Sequence, residues 1–308
     1  MKILVTGGTG FIGQFLVKAL VQRGDQVKVL VRQKKGINLM KKWGAEPILG
    51  NLTTLKPRDL HGIDVVYHLA AIRTSWGHPW EDYYQTNVLG TRNLLAASQG
   101  KVKHFILMSS YKAVHPKSPY GQSKFLAEKE AVKFFKKEKL PLTIIRPAIV
   151  YGPRDDSSGM IPKLFRLIKN RIYITVGSGK NRLHLVYIDD LIRALLLAAK
   201  KKGRGRIYTI AGERPIELNQ LVSLIAQEFK VKLLPVKIPL LFANLTGAIL
   251  EPFFKEEPIV TRNKVKTLTE NTVFRIDKAK REIGYLPQVD YLEGIKKTVA
   301  WYQKQWKK

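Results

Sequence analysis

From Lys2 to Tyr151 the chain keeps one rhythm: short, β-branched apolar segments alternate with stretches long enough for a helix. "KILVTG" reads as a strand, "GQFLVKALVQRG" as a helix closed by Gly24, and "QVKVLVR" as a strand again. "AEPILGNL", "DVVYHLAA", "HFILMSS" and "LTIIRPAIVYG" supply four more apolar segments. Helical patterns such as "EDYYQTNVLGTRNLLAAS" and the run after Tyr120 lie between them. Strands joined through helix-length crossovers pair in parallel and place helices on both faces of the sheet. The expected fold class is α/β, a doubly wound parallel sheet.

After "YGPRDDSSG" the rhythm breaks. "MIPKLFRLIKN", "NQLVSLIAQEFK" and "YLEGIKKTVAWYQKQW" read as helices, and "HLVYIDDLIRALLLAAKKKG" as a short strand feeding a helix. The second half is expected to form a smaller, mostly helical part. Ile238 to Leu250 carry no charge, in a chain with 54 Lys and Arg against 24 Asp and Glu. That run is too short to span a bilayer; it suits a buried helix, the wall of an apolar pocket or an interfacial patch beside basic residues.

The formal charge of +30 draws anions of any kind without choosing among them. Zinc-finger spacing, basic-zipper heptads and an aromatic RNA-binding signature are all missing, so no specific nucleic-acid partner is expected. The chain has no cysteine, which removes disulfides, thiolate metal sites and thiol catalysis together. "MKILVTGG" reaches glycine too early for a signal peptide, and a cytoplasmic location is expected.

"TGGTGFIG" follows the first strand and opens the first helix. Gly7, Gly10 and Gly13, with Thr9, Phe11 and Ile12 between them, match the loop that lays a dinucleotide pyrophosphate on a helix N-terminus. Residues 1–150 therefore read as a dinucleotide-binding (Rossmann) domain to which 184–212 return, with 151–183 and 213–308 left for substrate. An acid at the end of the second strand would accept hydrogen bonds from the ribose of NAD. The strand ends instead in Arg32, with Lys34 and Lys35 following, which suits a 2′-phosphate. NADP is the expected cofactor, with NAD as the alternative.

Tyr120 and Lys124, in "SPYGQSK", form the chain's sole Tyr-x-x-x-Lys, and on a helix started by Pro119 they share one face. A cation beside a phenol favours its ionised form. The glycine loop, "HLAA", "MSS", "YGQSK", "RPAIVYGP" and "HLVYIDD" occur in the order and spacing of the extended short-chain dehydrogenase/reductases, the epimerase/dehydratase group, and "DKAKREIGYLP" resembles that group's C-terminal segment. The resemblance covers nearly the whole chain. It implies that Tyr120 exchanges a proton with a carbonyl or alcohol, that Lys124 lowers its pKa and holds the nicotinamide ribose, and that Ser110 rather than Ser109 binds the same substrate oxygen. It also implies that Ala70 and Ala71 line the cofactor and that Asn87 orders the site; in the family dimers are common, the helix after Tyr120 often contributing.

Departures from the family pattern narrow the reaction. Dehydratases of the group carry an Asp-Glu pair after the catalytic hydroxyl residue, where this chain has Tyr111 and Lys112. Sugar-nucleotide epimerases place an asparagine and an arginine where Ile149 and Leu183 stand, although Arg182 lies one residue earlier. The segment from Ile238 resembles the 3β-hydroxysteroid dehydrogenase-like branch, and "VRQKK" with "MSSYKAV" resembles dihydroflavonol-reductase-like members. With Trp76 and Trp80, these features point to a bulky, weakly polar alcohol or ketone of sterol, isoprenoid or flavonol kind, and the basic surface to peripheral contact with an acidic membrane. A nucleotide-sugar epimerase and a non-catalytic dinucleotide-binding protein remain the alternatives.

Overall fold

A computed structural model of the 308-residue chain describes residues 1–73, 77–155, 159–200, 205–234, 236–238 and 270–306. Trp76 and most of the uncharged run after Ile238 lie outside the described residues. In chain order the elements begin with β1 (Lys2–Thr6), α1 (Phe11–Gln22), β2 (Gln26–Val31), α2 (Lys34–Lys42), β3 (Glu46–Leu49) and β4 (Val65–His68). There follow α3 (Trp80–Tyr83), a π-helical turn (Tyr84–Leu89), α4 (Gly90–Ser98), β5 (His104–Met108), a 3-10 turn (Tyr111–Ala113), α5 (Pro119–Glu138) and β6 (Leu142–Pro147). Next come β7 (Ile149–Tyr151), α6 (Met160–Lys169), β8 (Thr175–Val176), β9 (Arg182–Leu183), β10 (Leu185–Tyr187), α7 (Ile188–Lys200) and β11 (Arg206–Ile210). The chain ends with β12 (Ile216–Glu217), α8 (Leu218–Phe229), β13 (Lys237–Ile238), α9 (Asp277–Ile283) and α10 (Tyr291–Gln305).

Two compact units result. The first comprises Met1–Ala148, Ile188–Ile210 and Arg275–Leu286. It holds a seven-stranded sheet in the order β11-β6-β5-β4-β1-β2-β3, every pair parallel. From β1 the chain crosses over through α1 to β2, whereas from β4 it crosses through α4 to β5, on the other side of β1. Right-handed crossovers in opposite directions put the two helix sets on opposite faces. Accordingly α4 packs with α5, away from α1; α7, which precedes β11, packs with α1. The strands are buried on both sides, which is why Ile3, Leu4, Val5, Val66, Phe105, Ile106, Leu107, Ile144 and Ile145 are fully enclosed. The order turns between β1 and β4, and ligands of such sheets bind outside the strand C-termini at that point.

The second unit comprises Ile149–Tyr187, Ala211–Phe274 and Pro287–Lys308. Helices α6, α8 and α10 pack together around Phe165, Phe229, Tyr302 and Trp306, with the Tyr302 and Trp306 rings stacked at 4.5 Å. Short pairs surround them: β7 with β10, β9 with β12, and β8 with β13. One expected segment is split. "LTIIRPAIVYG" reads as a single strand, yet β6 ends at Pro147, which has no N–H for the ladder, and β7 pairs outside the main sheet.

Candidate active site

The loop after β1 is shaped by close backbone approach. Gly7 lies at φ +73°, and a Cβ there would stand 2.7 Å from the Ala70 amide nitrogen. At Gly13 a Cβ would lie 2.1 Å from the Gly7 carbonyl oxygen, so α1 can sit on the loop only with glycine at that position. The Gly10 N–H donates to the Gly7 carbonyl at 3.0 Å, and Gly10 begins α1 without a side-chain cap. The first N–H groups of the helix, on Phe11, Ile12 and Gly13, therefore have no acceptor within it. Thr9 is held by Gln14, whose Nε2 donates to its carbonyl at 3.0 Å. Its methyl would lie 3.1 Å from a Cβ at Gly36, in the first turn of α2. That turn contains Lys34 and Lys35 and no acid, and exposed Arg32 precedes it. Free N–H groups at a helix start, with cations on the adjoining turn, fit the phosphates of a nicotinamide dinucleotide.

Helix α5 carries the second half of the site. Ser118 caps it, accepting from the Gly121 N–H at 3.1 Å, and Pro119 occupies its first turn. A Cβ at Gly121 would stand 2.7 Å from the Lys112 carbonyl, so glycine lets α5 close onto the turn that follows Ser110. Tyr120 is thereby set beside Ser110. Burial of the hydroxyl raises the Tyr120 pKa above its usual value; the Arg73 charge and the Ser110 hydrogen bond pull against that rise. Lys124, one turn further, is buried, and burial lowers its pKa to about 8 while Glu128 holds it up. Arg73 is thus one cation acting on Tyr120.

Glu128 continues the same helix face and is itself buried. It accepts from Arg146 Nε at 2.8 Å, from a second Arg146 nitrogen at 2.5 Å, and from Ser109 Oγ at 2.5 Å. Adjacent serines thus divide the work, Ser109 facing Glu128 and Ser110 facing Tyr120.

A directed chain of hydrogen bonds ties the two halves together. The Ala70 N–H donates to Thr6 Oγ1 at 3.2 Å, and Thr6 Oγ1 lies 2.7 Å from His68 Nδ1. Thr91 donates its proton to the Asn87 carbonyl at 2.6 Å, so its Oγ1 accepts from His68 Nε2 at 2.8 Å, and His68 Nδ1 is left to accept from the Thr6 hydroxyl. The Asn87 side chain accepts from Ile72 N–H at 2.7 Å and donates to Ile72 O and Ser123 Oγ, both at 2.9 Å; Ser123 donates to Tyr120 O at 2.8 Å. Burial, with the Lys124 charge adding to it, lowers the His68 pKa to about 3, so the ring is neutral.

Glu128, Arg146, Arg73 and His68 are functional neighbours that motif reading passed over. Glu128 was detectable, because Tyr120, Lys124 and Glu128 recur every helical turn, and Arg146 was detectable as a charge inside an apolar strand. Arg73 comes from a loop with no local signature. Ala71 follows Ala70 on the half-buried segment after β4, and Trp80 opens α3, 41% exposed. In the second unit Ile149 is half-buried on β7, and Arg182 is exposed, its N–H donating to Asn271 Oδ1 at 2.7 Å. Leu183 has no exposed surface and pairs with Ile216, so its side chain packs within that unit.

A family model described as the NAD dependent epimerase/dehydratase family matches residues 3–211. The chain is 29% identical to a 2-alkyl-3-oxoalkanoate reductase of Stenotrophomonas maltophilia, over 97% of its own length and 99% of that protein's. It is 27% identical to a 4-hydroxy-2-methyl-3-oxo-4-farnesyl-3,4-dihydroquinoline-1-oxide ketoreductase of Stigmatella aurantiaca, over 96% and 95% of the two chains. Among solved structures it resembles the UDP-glucuronic acid 4-epimerase of Bacillus cereus in complex with UDP-glucuronic acid and NAD, with 25% identity, a TM-score of 0.80, and 99% and 100% of the chains covered.

Proposed function

The chain belongs to the NAD-dependent epimerase/dehydratase family, enzymes of nicotinamide chemistry, and from that premise we propose that it is an NADP-preferring reductase of a ketone on a bulky, weakly polar substrate. The observation that carries this reading is the half-buried Tyr120 phenol that α5 sets beside Ser110. A tyrosine phenol, ionising near pH 10 when free and shifted upward here by desolvation, keeps its proton at neutral pH and can donate it to a carbonyl oxygen. Reduction of a ketone needs that donation. A bound nicotinamide supplies the hydride. The chain's own residues do the rest: Ser110 and Tyr120 hold the carbonyl oxygen, Arg73 stabilises the phenolate left behind, and Asn87 fixes the backbone of α5 beneath it. Gly7, Gly10, Gly13 and the start of α1 would hold the pyrophosphate, Ala70 and Ala71 would lie along the cofactor, and Arg32 would meet a 2′-phosphate.

The substrate class draws support from two directions. Ile149 and Leu183 stand where sugar-nucleotide epimerases keep polar contacts, and two similar proteins are named as reductases of an alkylated oxoalkanoate and of a farnesylated quinoline. We assign substrate recognition to Ile149, Arg182 and Leu183 of the second unit and to Trp76, and association as a homodimer to α5. A nucleotide-sugar epimerase is the second reading, favoured by exposed Arg182 and by the epimerase likeness.

The test is turnover of the purified protein with NADPH and NADH on long-chain and isoprenoid ketones and, in parallel, on nucleotide sugars. Consumption of NADPH with a lipidic ketone is expected; sugar stereoisomers without net cofactor change would instead establish the epimerase. Tyr120→Phe should lower kcat by about 10²-fold or more while cofactor affinity, followed by calorimetry, stays within about threefold of wild type. Retained turnover in that variant would remove Tyr120 from the mechanism.

A further inference from the structure

Among its described residues, the second unit presents an apolar surface. Ile172 and Ile174 lead into β8 and are 57% and 42% exposed, while Tyr173 between them is buried. Leu234 and Val236 lead into β13 and are 73% and 45% exposed. The two strands run parallel with Lys237 beside Thr175, and the Thr175 N–H donates to the Val236 carbonyl at 3.0 Å. That register sets Val236 next to Ile174, with Leu234 and Ile172 two residues back on their respective chains. The two segments leading into one end of the ladder thus carry four exposed aliphatic side chains, where single scattered ones would need no explanation.

The charge along these two segments has one sign. Residues 160–180 contain Lys163, Arg166, Lys169, Arg171 and Lys180 and no Asp or Glu. Residues 229–238 contain Lys230, Lys232 and Lys237, again with no acid. Arg171, Lys230 and Lys232 are exposed, and Arg171 and Lys230 both lie in left-handed backbone just after α6 and α8. Such a surface disfavours a second copy of the chain, which would bring cations against cations. An anionic bilayer satisfies both features at once, since its headgroups attract lysine and arginine and its interfacial zone accepts aliphatic side chains.

We propose that the face formed by Ile172, Ile174, Leu234 and Val236, rimmed by Arg171, Lys230 and Lys232, docks this protein on an anionic lipid surface. Docking rests on the chemistry of this face and not on the reading of the active site, so vesicle binding and turnover fail independently. The probe is co-sedimentation of the full chain with phosphatidylcholine vesicles, with and without phosphatidylserine. Wild type should bind the phosphatidylserine vesicles and leave the neutral ones. Replacing all four aliphatics by serine should weaken that binding about tenfold or more, with an unchanged far-ultraviolet spectrum and melting temperature. Arg171→Glu with Lys232→Glu leaves the aliphatics in place and should weaken it similarly, which keeps the test valid if the serine variant misfolds. Three outcomes overturn the proposal: no binding by wild type, equal binding by a folded serine variant, which would trace the attraction to net charge alone, or a wild-type dimer that the serine variant dissolves.

Discussion

At the residue scale the pivotal group is Glu128, which touches no expected ligand and yet sets the charge of one that does. Burial brings Lys124 down to about 8, and the carboxylate one turn away opposes that fall. Ketone reduction that depends on the Lys124 ammonium should therefore decline as pH rises through about 8. Glu128→Gln removes the opposing charge, lowers the Lys124 pKa further and should shift this decline toward neutral pH. The same substitution strips half-buried Arg146 of its partner and should cost about 1–3 kcal/mol of stability. The pH profile of kcat/KM separates the two effects, because lost stability alone leaves the midpoint of the decline where it was.

At the element scale α5 and the π-helical turn are positioned against each other by Asn87. Asn87→Leu would leave the Ile72 N–H and C=O and the Ser123 hydroxyl without that partner, at a cost of about 1–3 kcal/mol. It should reduce kcat by about tenfold or more, more than it changes the affinity for dinucleotide, as steady-state kinetics beside calorimetry would reveal. Helix α5 was fully legible in the sequence, since Ser118, Pro119 and the recurrence of Tyr120 and Lys124 each point to it. The glycine loop was equally legible, because close approach permits no other residue. The π-helical turn was not: "EDYYQTNVLGTRNLLAAS" has the periodicity of one helix, and a single extra residue in a turn barely disturbs that pattern. The break between β6 and β7 was hidden in the same way, with only Pro147 to mark it. Leu183 was named from a family contact position alone, and an apolar side chain there does not say whether it faces a ligand or the core.

For the whole molecule, the division into units does not follow the order of the chain. The first unit is assembled from three segments, and the backbone enters and leaves it repeatedly. A chain ending at Tyr187 would retain β1 to β6 but lose α7, β11 and α9, leaving the Leu142–Pro147 strand as a bare edge. Bare apolar edges recruit other chains, so this fragment should aggregate and melt without a cooperative transition, as light scattering and calorimetry would record. The fragment folding as a monomer with a sharp transition would mean that β11 is dispensable.

The same late return of β11 has a meaning for synthesis. The ribosome releases β6 well before Arg206–Ile210, the strand that covers it, and a strand cannot pair with residues that do not yet exist. During that interval the nascent sheet offers an open flank to neighbouring polysomes and to chaperones, so the speed of translation from Ile149 to Ile210 sets how long the newborn protein stays vulnerable.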